Sequence, residues 1–216
     1  HFTVDALVKS FHVNNAEYKL TVFKPMPCGD AFEVRFEWDG DISFAELLNL
    51  AGIIPLPPYL KRIPDDNDKT RYQTIYAKQE GSVAAPTAGL HFTNEILSEI
   101  HSKGIVTEYV VLHVGAGTFK PVKSETMHDH DMHSEEIVVT KSTIQGLIRN
   151  VDNLIAVGTT SLRTLESLFW VGLKLHLGIA DLNIRQWDAY DLEIPYDFTY
   201  LTALQTILDF LKASDL

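Results

Sequence analysis

Pro55, Pro57, Pro58 and Pro64 constrain this chain more than any other feature, because they crowd into one short, mostly apolar stretch. Each proline fixes its own φ, removes a backbone donor and biases the preceding residue towards extended conformations. No regular helix or central strand can run through such a segment, so the chain must cross from one structural unit to another there. The patterns on the two sides differ. Upstream, Phe32, Val34, Phe36 and Trp38 alternate with Glu33, Arg35 and Glu37, the period of a strand with one covered face. Residues 2–8 and 18–23 also read as short strands, and Asp39-Gly40 reads as a turn. Residues 43–50 read as a short helix, with Ser43 and Glu46 as a capping box, Leu47, Leu48 and Leu50 following, and Gly52 as the stop.

Downstream, helical and strand-like runs alternate. Thr93 is an N-cap, Ile96, Leu97 and Ile100 form an apolar stripe, and Lys103-Gly104 closes the helix. Residues 105–114 are a near-continuous apolar run, as in a strand covered on both faces. Residues 136–139 and 153–157 read as further strands, and 140–149 as a helix between them. Residues 72–78 fit a helical turn or a strand. This alternation predicts an α/β domain with a mixed, largely parallel sheet. Beyond it, residues 168–177 stay apolar, 181–198 are acidic and irregular, and 202–212 carry a helical stripe of Leu204, Ile207, Leu208 and Leu211.

With 216 residues, 45% of them hydrophobic, the chain can bury a real core. One cysteine, Cys28, excludes an internal disulfide and suits a reducing, cytoplasmic setting. No run approaches the length of a membrane span. The net charge of −11 argues against a nucleic-acid surface over the whole chain. The nearest basic patch is Lys61, Arg62, Lys69, Arg71 and Lys78, diluted by Asp65, Asp66 and Asp68; without further evidence it reads as a solvated loop.

Four stretches can carry chemistry. Residues 81–93, GSVAAPTAGLHFT, are small and turn-rich, so a ligand or a second backbone can approach closely. They serve equally as a tight packing corner. Gly158, Thr159, Thr160 and Ser161 follow a strand-like run and open a helix, where backbone N–H groups favour an anion and Arg163 can pair with a carboxylate or phosphate. The plain alternative is an N-cap with Arg163 bridging to Glu166 or Ser167. His113, Gly115, Gly117 and Thr118 form a loop after a strand-like run; the third glycine and following helix of the dinucleotide fingerprint are lacking. His128, His130 and His133, interleaved with Asp129, Asp131 and Glu135, suggest a metal site by residue type, yet no short zinc signature fits.

Taken together, GSVAAPTAGLHFT at 81–93, IPLPPYLKR at 54–62, RYQTIYAK at 71–78, YVVLHVGAGTFKPV at 109–122, HDMHSE at 130–135 and AVGTTSLRTLES at 156–167 closely resemble the S-adenosylmethionine:tRNA ribosyltransferase-isomerase family of queuosine biosynthesis. The motifs lie between residues 52 and 167. Residues 168–216 lack the family's later glycine- and tyrosine-containing and Asn-Phe-His-containing stretches.

The resemblance implies that residues 1–41 are part of a small β-barrel domain and that 42–216 form the α/β catalytic-type domain. It implies transfer and isomerisation of the ribosyl part of S-adenosylmethionine, a consumed co-substrate, onto the 7-aminomethyl-7-deazaguanine base at the tRNA wobble position. Epoxyqueuosine would result, with adenine and methionine released and no metal required. His91, His113, His133 and Glu135 are then the catalytic candidates, since a base must remove the proton that the neighbouring sulfonium acidifies. Ser82, Thr87, Gly115, Gly117, Thr118, Gly158, Thr159, Thr160, Ser161, Arg163 and Glu166 are the substrate-binding candidates. Because the chain opens on His1 and lacks the later motifs, the expectation is an incomplete catalyst. A nucleoside- or S-adenosylmethionine-binding protein with no tRNA substrate is the alternative that the acidic balance keeps open.

Overall fold

The computed structural model describes residues 5–13, 16–28, 31–53, 56–57, 60–65, 67–78, 82, 84–115, 126 and 134–214. The chain forms two compact units, His1–Ile54 and Pro55–Leu216.

In the first unit, β1 (Ala6–Val13), β2 (Ala16–Phe23) and β5 (Phe36–Trp38) form an antiparallel sheet in the order β1-β2-β5. The pair Phe11–Tyr18, opposite each other in the register, stacks at 5.9 Å. β3 (Met26–Cys28) and β4 (Ala31–Glu33) form a separate two-stranded ribbon. Among the described residues these strands make an open sheet and a ribbon, with no closed barrel. The alternating run at 31–38 is therefore two strands with different partners, broken at Val34-Arg35. Arg35 carries the break: its carbonyl accepts from Phe23 N–H at 3.0 Å and its guanidinium lies 3.8 Å over the Phe23 ring. Phe32 consequently leaves the face shared by Phe36 and Trp38 and is 66% exposed.

Helix α1 (Phe44–Ala51) starts at the expected Ser43–Glu46 capping box and ends at Gly52. Its Phe44 packs on Phe36 and Trp38 at 5.5 and 5.8 Å, and Leu47 is buried. The helix thus covers the sheet face that the alternation predicts to be apolar.

The second unit begins with α2 (Asp68–Arg71), a 3-10 turn (Thr87–His91) and α3 (Asn94–Ser102), which Thr93 caps through its side chain. Then follow β6 (Val111–His113), β7 (Glu136–Val138) and α4 (Lys141–Arg149). The helices α5 (Gly158–His176), α6 (Asp188–Asp191) and α7 (Tyr200–Ala213) complete it. The core is helical: Ile144 and Leu147 of α4, Leu168 of α5, and Leu204, Ile207 and Leu208 of α7 pack together. α5 and α7 approach closely because Gly172 has no Cβ, which would stand 2.5 Å from the Ala203 carbonyl oxygen. Lys174, buried on α5, pairs with Asp188 at 2.6 Å and so fastens the acidic segment to the bundle.

Helices and strands mix as an α/β reading requires, but the largely parallel sheet is corrected. Every strand pair among the described residues is antiparallel, β6 with β7 included. The apolar runs behind that expectation lie largely outside strands. Only three residues of the run 105–114 are strand, and Ile105 and Val106 are 51% and 67% exposed. Residues 153–157 form no strand: Leu154 packs on the helical core while Ile155 is 88% exposed. Apolar composition alone does not distinguish an extended segment lying on helices from a strand in a sheet. No helix among the described residues is long and apolar enough to cross a membrane.

Candidate functional site

The 3-10 turn places the first candidate stretch. Gly89 is buried, and a Cβ there would overlap the Tyr76 hydroxyl; the Tyr76 ring in turn lies 5.9 Å from that of Tyr109. Burial at this corner pushes the Tyr76 phenol above its ordinary pKa. The small residues here serve close packing as well as access. Thr87 and His91 lie exposed at the two ends of the turn.

The same turn meets the start of α5. Gly158 has φ +84°, a conformation that favours glycine, and a Cβ added to it would stand 2.9 Å from that of Ala88. Val157 is the N-cap, with no side-chain capping bond. Among the described residues, no hydrogen bond involves the side chains of Thr159, Thr160 or Ser161. Their hydroxyls and the first N–H groups of α5 stand available at the helix start.

Ser82 braces β6 rather than standing free. Its hydroxyl donates to Leu112 O at 3.1 Å and accepts from Val114 N–H at 3.2 Å. That clamp brackets His113, which is half-buried and sits opposite Glu136 in the β6–β7 register. Gly115 follows, exposed and with open space around its Cα. Gly117, Thr118, His133 and the histidine cluster at 128–133 lie outside the described residues. Among those described, no group of three or more His, Cys, Asp or Glu could hold a metal ion.

Arg163 joins two candidates that sequence spacing does not connect. Its guanidinium meets Glu135 Oε2 at 3.0 Å, with the Glu135 side chain 3% exposed and that of Arg163 55%. The local alternatives are thereby corrected: Glu166 takes no part, and Ser167 donates its hydroxyl to the Arg163 carbonyl at 2.8 Å instead. The segment before β7 is thus tied to α5, and α5 also touches β6 and the 3-10 turn.

One turn further along α5 a cavity of about 240 Å³ opens, lined by Leu154, Ala156, Leu162, Leu165, Glu166 and Tyr200. Glu166 is the only member singled out from the sequence. Tyr200 carries no sequence signal beyond its place after the α7 cap, Thr199. Its hydroxyl is buried and has no hydrogen-bond partner among the described residues. Burial, with Glu166 nearby, pushes this phenol up to about 12. A second cavity of about 180 Å³ lies between Leu56, Leu60, Arg62, Asp68, Arg71 and Tyr72, within the basic stretch. There Arg62 grips Asp68 through two 2.6 Å bonds, leaving Arg71 as the cation not held in that fork.

A family profile described as "Queuosine biosynthesis protein" matches residues 3–212, well beyond the motifs at 52–167. A protein named "S-adenosylmethionine:tRNA ribosyltransferase-isomerase" from Herminiimonas arsenicoxydans is 44% identical over 186 residues, 84% of this chain and 50% of that protein. The protein of the same name from Acetivibrio thermocellus is 47% identical over 161 residues, 73% of this chain and 46% of its own. That from Finegoldia magna is 51% identical over 138 residues, 62% and 39% respectively. The chain therefore spans half or less of the length of these curated relatives. No solved structure matches it.

Proposed function

Because the chain belongs to the queuosine biosynthesis protein family, we propose that it acts in tRNA modification as part of an S-adenosylmethionine:tRNA ribosyltransferase-isomerase. In this reading the ribosyl part of S-adenosylmethionine is transferred to 7-aminomethyl-7-deazaguanine at the wobble position and isomerised to the epoxycyclopentanediol of epoxyqueuosine. Adenine and methionine leave, and the setting is cytoplasmic. The observation that carries the reading is 44% identity to a protein of that name across 84% of the chain.

The geometry around α5 supports a division of labour. His113, whose flanking backbone the Ser82 clamp holds, is the base candidate for removal of the sulfonium-adjacent proton. His91, at the end of the 3-10 turn, and His133 are the further base candidates. The Arg163–Glu135 pair fixes the approach of the β7 flank to the helix start, where the N–H groups and hydroxyls of residues 158–161 suit the methionyl carboxylate. Thr87, Gly115, Gly117 and Thr118 complete the substrate-facing set. The tRNA partner falls to Arg71 and the neighbouring lysines, since phosphate recognition needs cations and the chain is acidic overall.

The test is incubation with S-adenosylmethionine and tRNA carrying the aminomethyl-deazaguanine base. Mass analysis of the digested tRNA should show the cyclopentane unit, with free adenine in stoichiometric amount. Binding of S-adenosylmethionine with no change in tRNA mass would favour the non-modifying alternative instead.

A further inference from the structure

The cavity beside Glu166 and Tyr200 has no assigned occupant. Four aliphatic side chains, Leu154, Ala156, Leu162 and Leu165, line it, and two polar groups converge on it. Leu154, Leu165 and Tyr200 also pack against the helical core, so the floor is rigid. Its volume, about 240 Å³, is below that of pockets which enclose whole drug-sized ligands and suits a single ring system. Burial keeps the Tyr200 phenol protonated well beyond neutral pH, so it is a hydrogen-bond donor seeking an acceptor. Glu166 is met by no cation among the described residues, so its carboxylate is an acceptor seeking a donor.

A donor and an acceptor side by side on the protein match an acceptor and a donor side by side on a flat ring. We propose that this cavity seats an N-heteroaromatic base, its ring between the aliphatic side chains, its amino or ring N–H on Glu166 and its ring nitrogen or carbonyl on Tyr200. The buried Tyr200 hydroxyl gives the discrimination, because the wrong ligand leaves it unsatisfied, while Glu166 reads the neighbouring donor from the exposed rim. Two sources share this edge: the adenine of S-adenosylmethionine and the deazaguanine of the tRNA. Naming those two rests on the proposed function; the edge chemistry itself does not.

Calorimetric titration with adenosine, with purine riboside and with free 7-aminomethyl-7-deazaguanine distinguishes the sources. Purine riboside keeps the ring acceptors of adenosine but lacks its amino donor. If adenine is the occupant, adenosine binds about tenfold tighter than purine riboside. Glu166→Met then closes that gap, while Tyr200→Phe weakens both by about tenfold. If the deazaguanine is the occupant, that base binds tighter than either nucleoside and both substitutions weaken it. Binding of none of the three, or binding unchanged in Tyr200→Phe, overturns the proposal.

Thermal unfolding without ligand gives an independent readout. Tyr200→Phe should leave the midpoint unchanged or raised, since it deletes a buried hydroxyl that has no hydrogen-bond partner among the described residues. A clearly lowered midpoint would make that hydroxyl structural and overturn the assignment. Intact base discrimination without tRNA product refutes the transfer reaction alone; tRNA product without base discrimination refutes the cavity alone.

Discussion

Removing the Arg163 guanidinium separates two readings of the α5 start. If Arg163 serves only substrate, Arg163→Ala weakens binding and leaves stability alone. The structure instead sets it 3.0 Å from a carboxylate whose side chain is 3% exposed. At an effective dielectric of about 20 the gross attraction at this distance is roughly 5 kcal/mol. Desolvation of Glu135 cancels much of it, and the Arg163 side chain, 55% exposed, is screened by solvent. A net loss of about 1–2 kcal/mol on Arg163→Ala is therefore expected, from the loss of this one ion pair.

The assay is a double-mutant cycle of Arg163→Ala and Glu135→Gln by urea unfolding. Trp170 and Trp187 report on the second unit, with Trp38 of the first replaced by Phe. Glu135→Gln removes the buried charge, so Arg163→Ala should cost about 1 kcal/mol less in that background. Additivity within about 0.3 kcal/mol would refute the coupling. Arg163 would then be an exposed cation whose job lies with the substrate.

Gly172→Ala places a Cβ 2.5 Å from the Ala203 carbonyl oxygen, a clash of about 1–3 kcal/mol against a helix-propensity gain of about 1. A net loss near 1 kcal/mol in urea unfolding is expected, and a gain would mean α7 moves aside without penalty. Lys174→Met strands the Asp188 carboxylate, 8% exposed, and should destabilise by about 3 kcal/mol; adding Asp188→Leu should recover most of it. Burial raises the Asp188 pKa, but bonds from Lys174 and the Arg185 N–H outweigh it and hold the carboxyl below its ordinary range. The stabilising contribution of this pair is therefore complete above that range and lost as pH falls through the folded value. The Arg62 fork, the Asp65 N–H and the Arg62 charge hold Asp68 at about 2. Its contribution should be complete above about pH 4 and vanish towards pH 2. Carboxyl NMR titration checks this, and Asp68→Asn should abolish that acid limb.

What was legible in the sequence follows from how local each signal is. The Ser43–Glu46 box and the Thr93 cap need only residues three apart, and both appear as read. Strand partners are not local. The run 31–38 alternates correctly, yet Arg35 diverts its halves to different neighbours. The run 153–157 is apolar because Leu154 and Ala156 face the helices, and nothing in its composition reveals that Ile155 is uncovered. At the site, the motifs single out both Arg163 and Glu135 without pairing them, since they lie on different elements. Ser82 is small enough for a ligand contact, but its hydroxyl is engaged by the β6 backbone thirty residues away. Tyr200 escapes notice because its importance arises from a cavity wall assembled by α5, α7 and the 153–157 segment.

Glu135, paired with Arg163 of α5, and Glu166, on α5 itself, differ in a way that bears on the charges of the proposed substrate. Glu135 is buried against Arg163, so the helix start carries a compensated pair and the positive end of the helix dipole remains to act on a ligand. That end suits a carboxylate. Glu166, beyond Arg163 on the same helix, is exposed and meets no cation among the described residues. That end suits a donor or a positive centre. A ligand lying along α5 would thus meet attraction for an anionic group at residues 158–161 and for a donor or cation at Glu166. S-adenosylmethionine carries a carboxylate at one end, an amino-bearing base at the other and a sulfonium between them, in the order this polarity favours. The order predicts a substitution effect that simple charge counting does not. Glu166→Lys should exclude S-adenosylmethionine while the helix start keeps its affinity for free methionine. Equal loss of both ligands would show that the helix presents one undivided field, with no ordered pair of subsites.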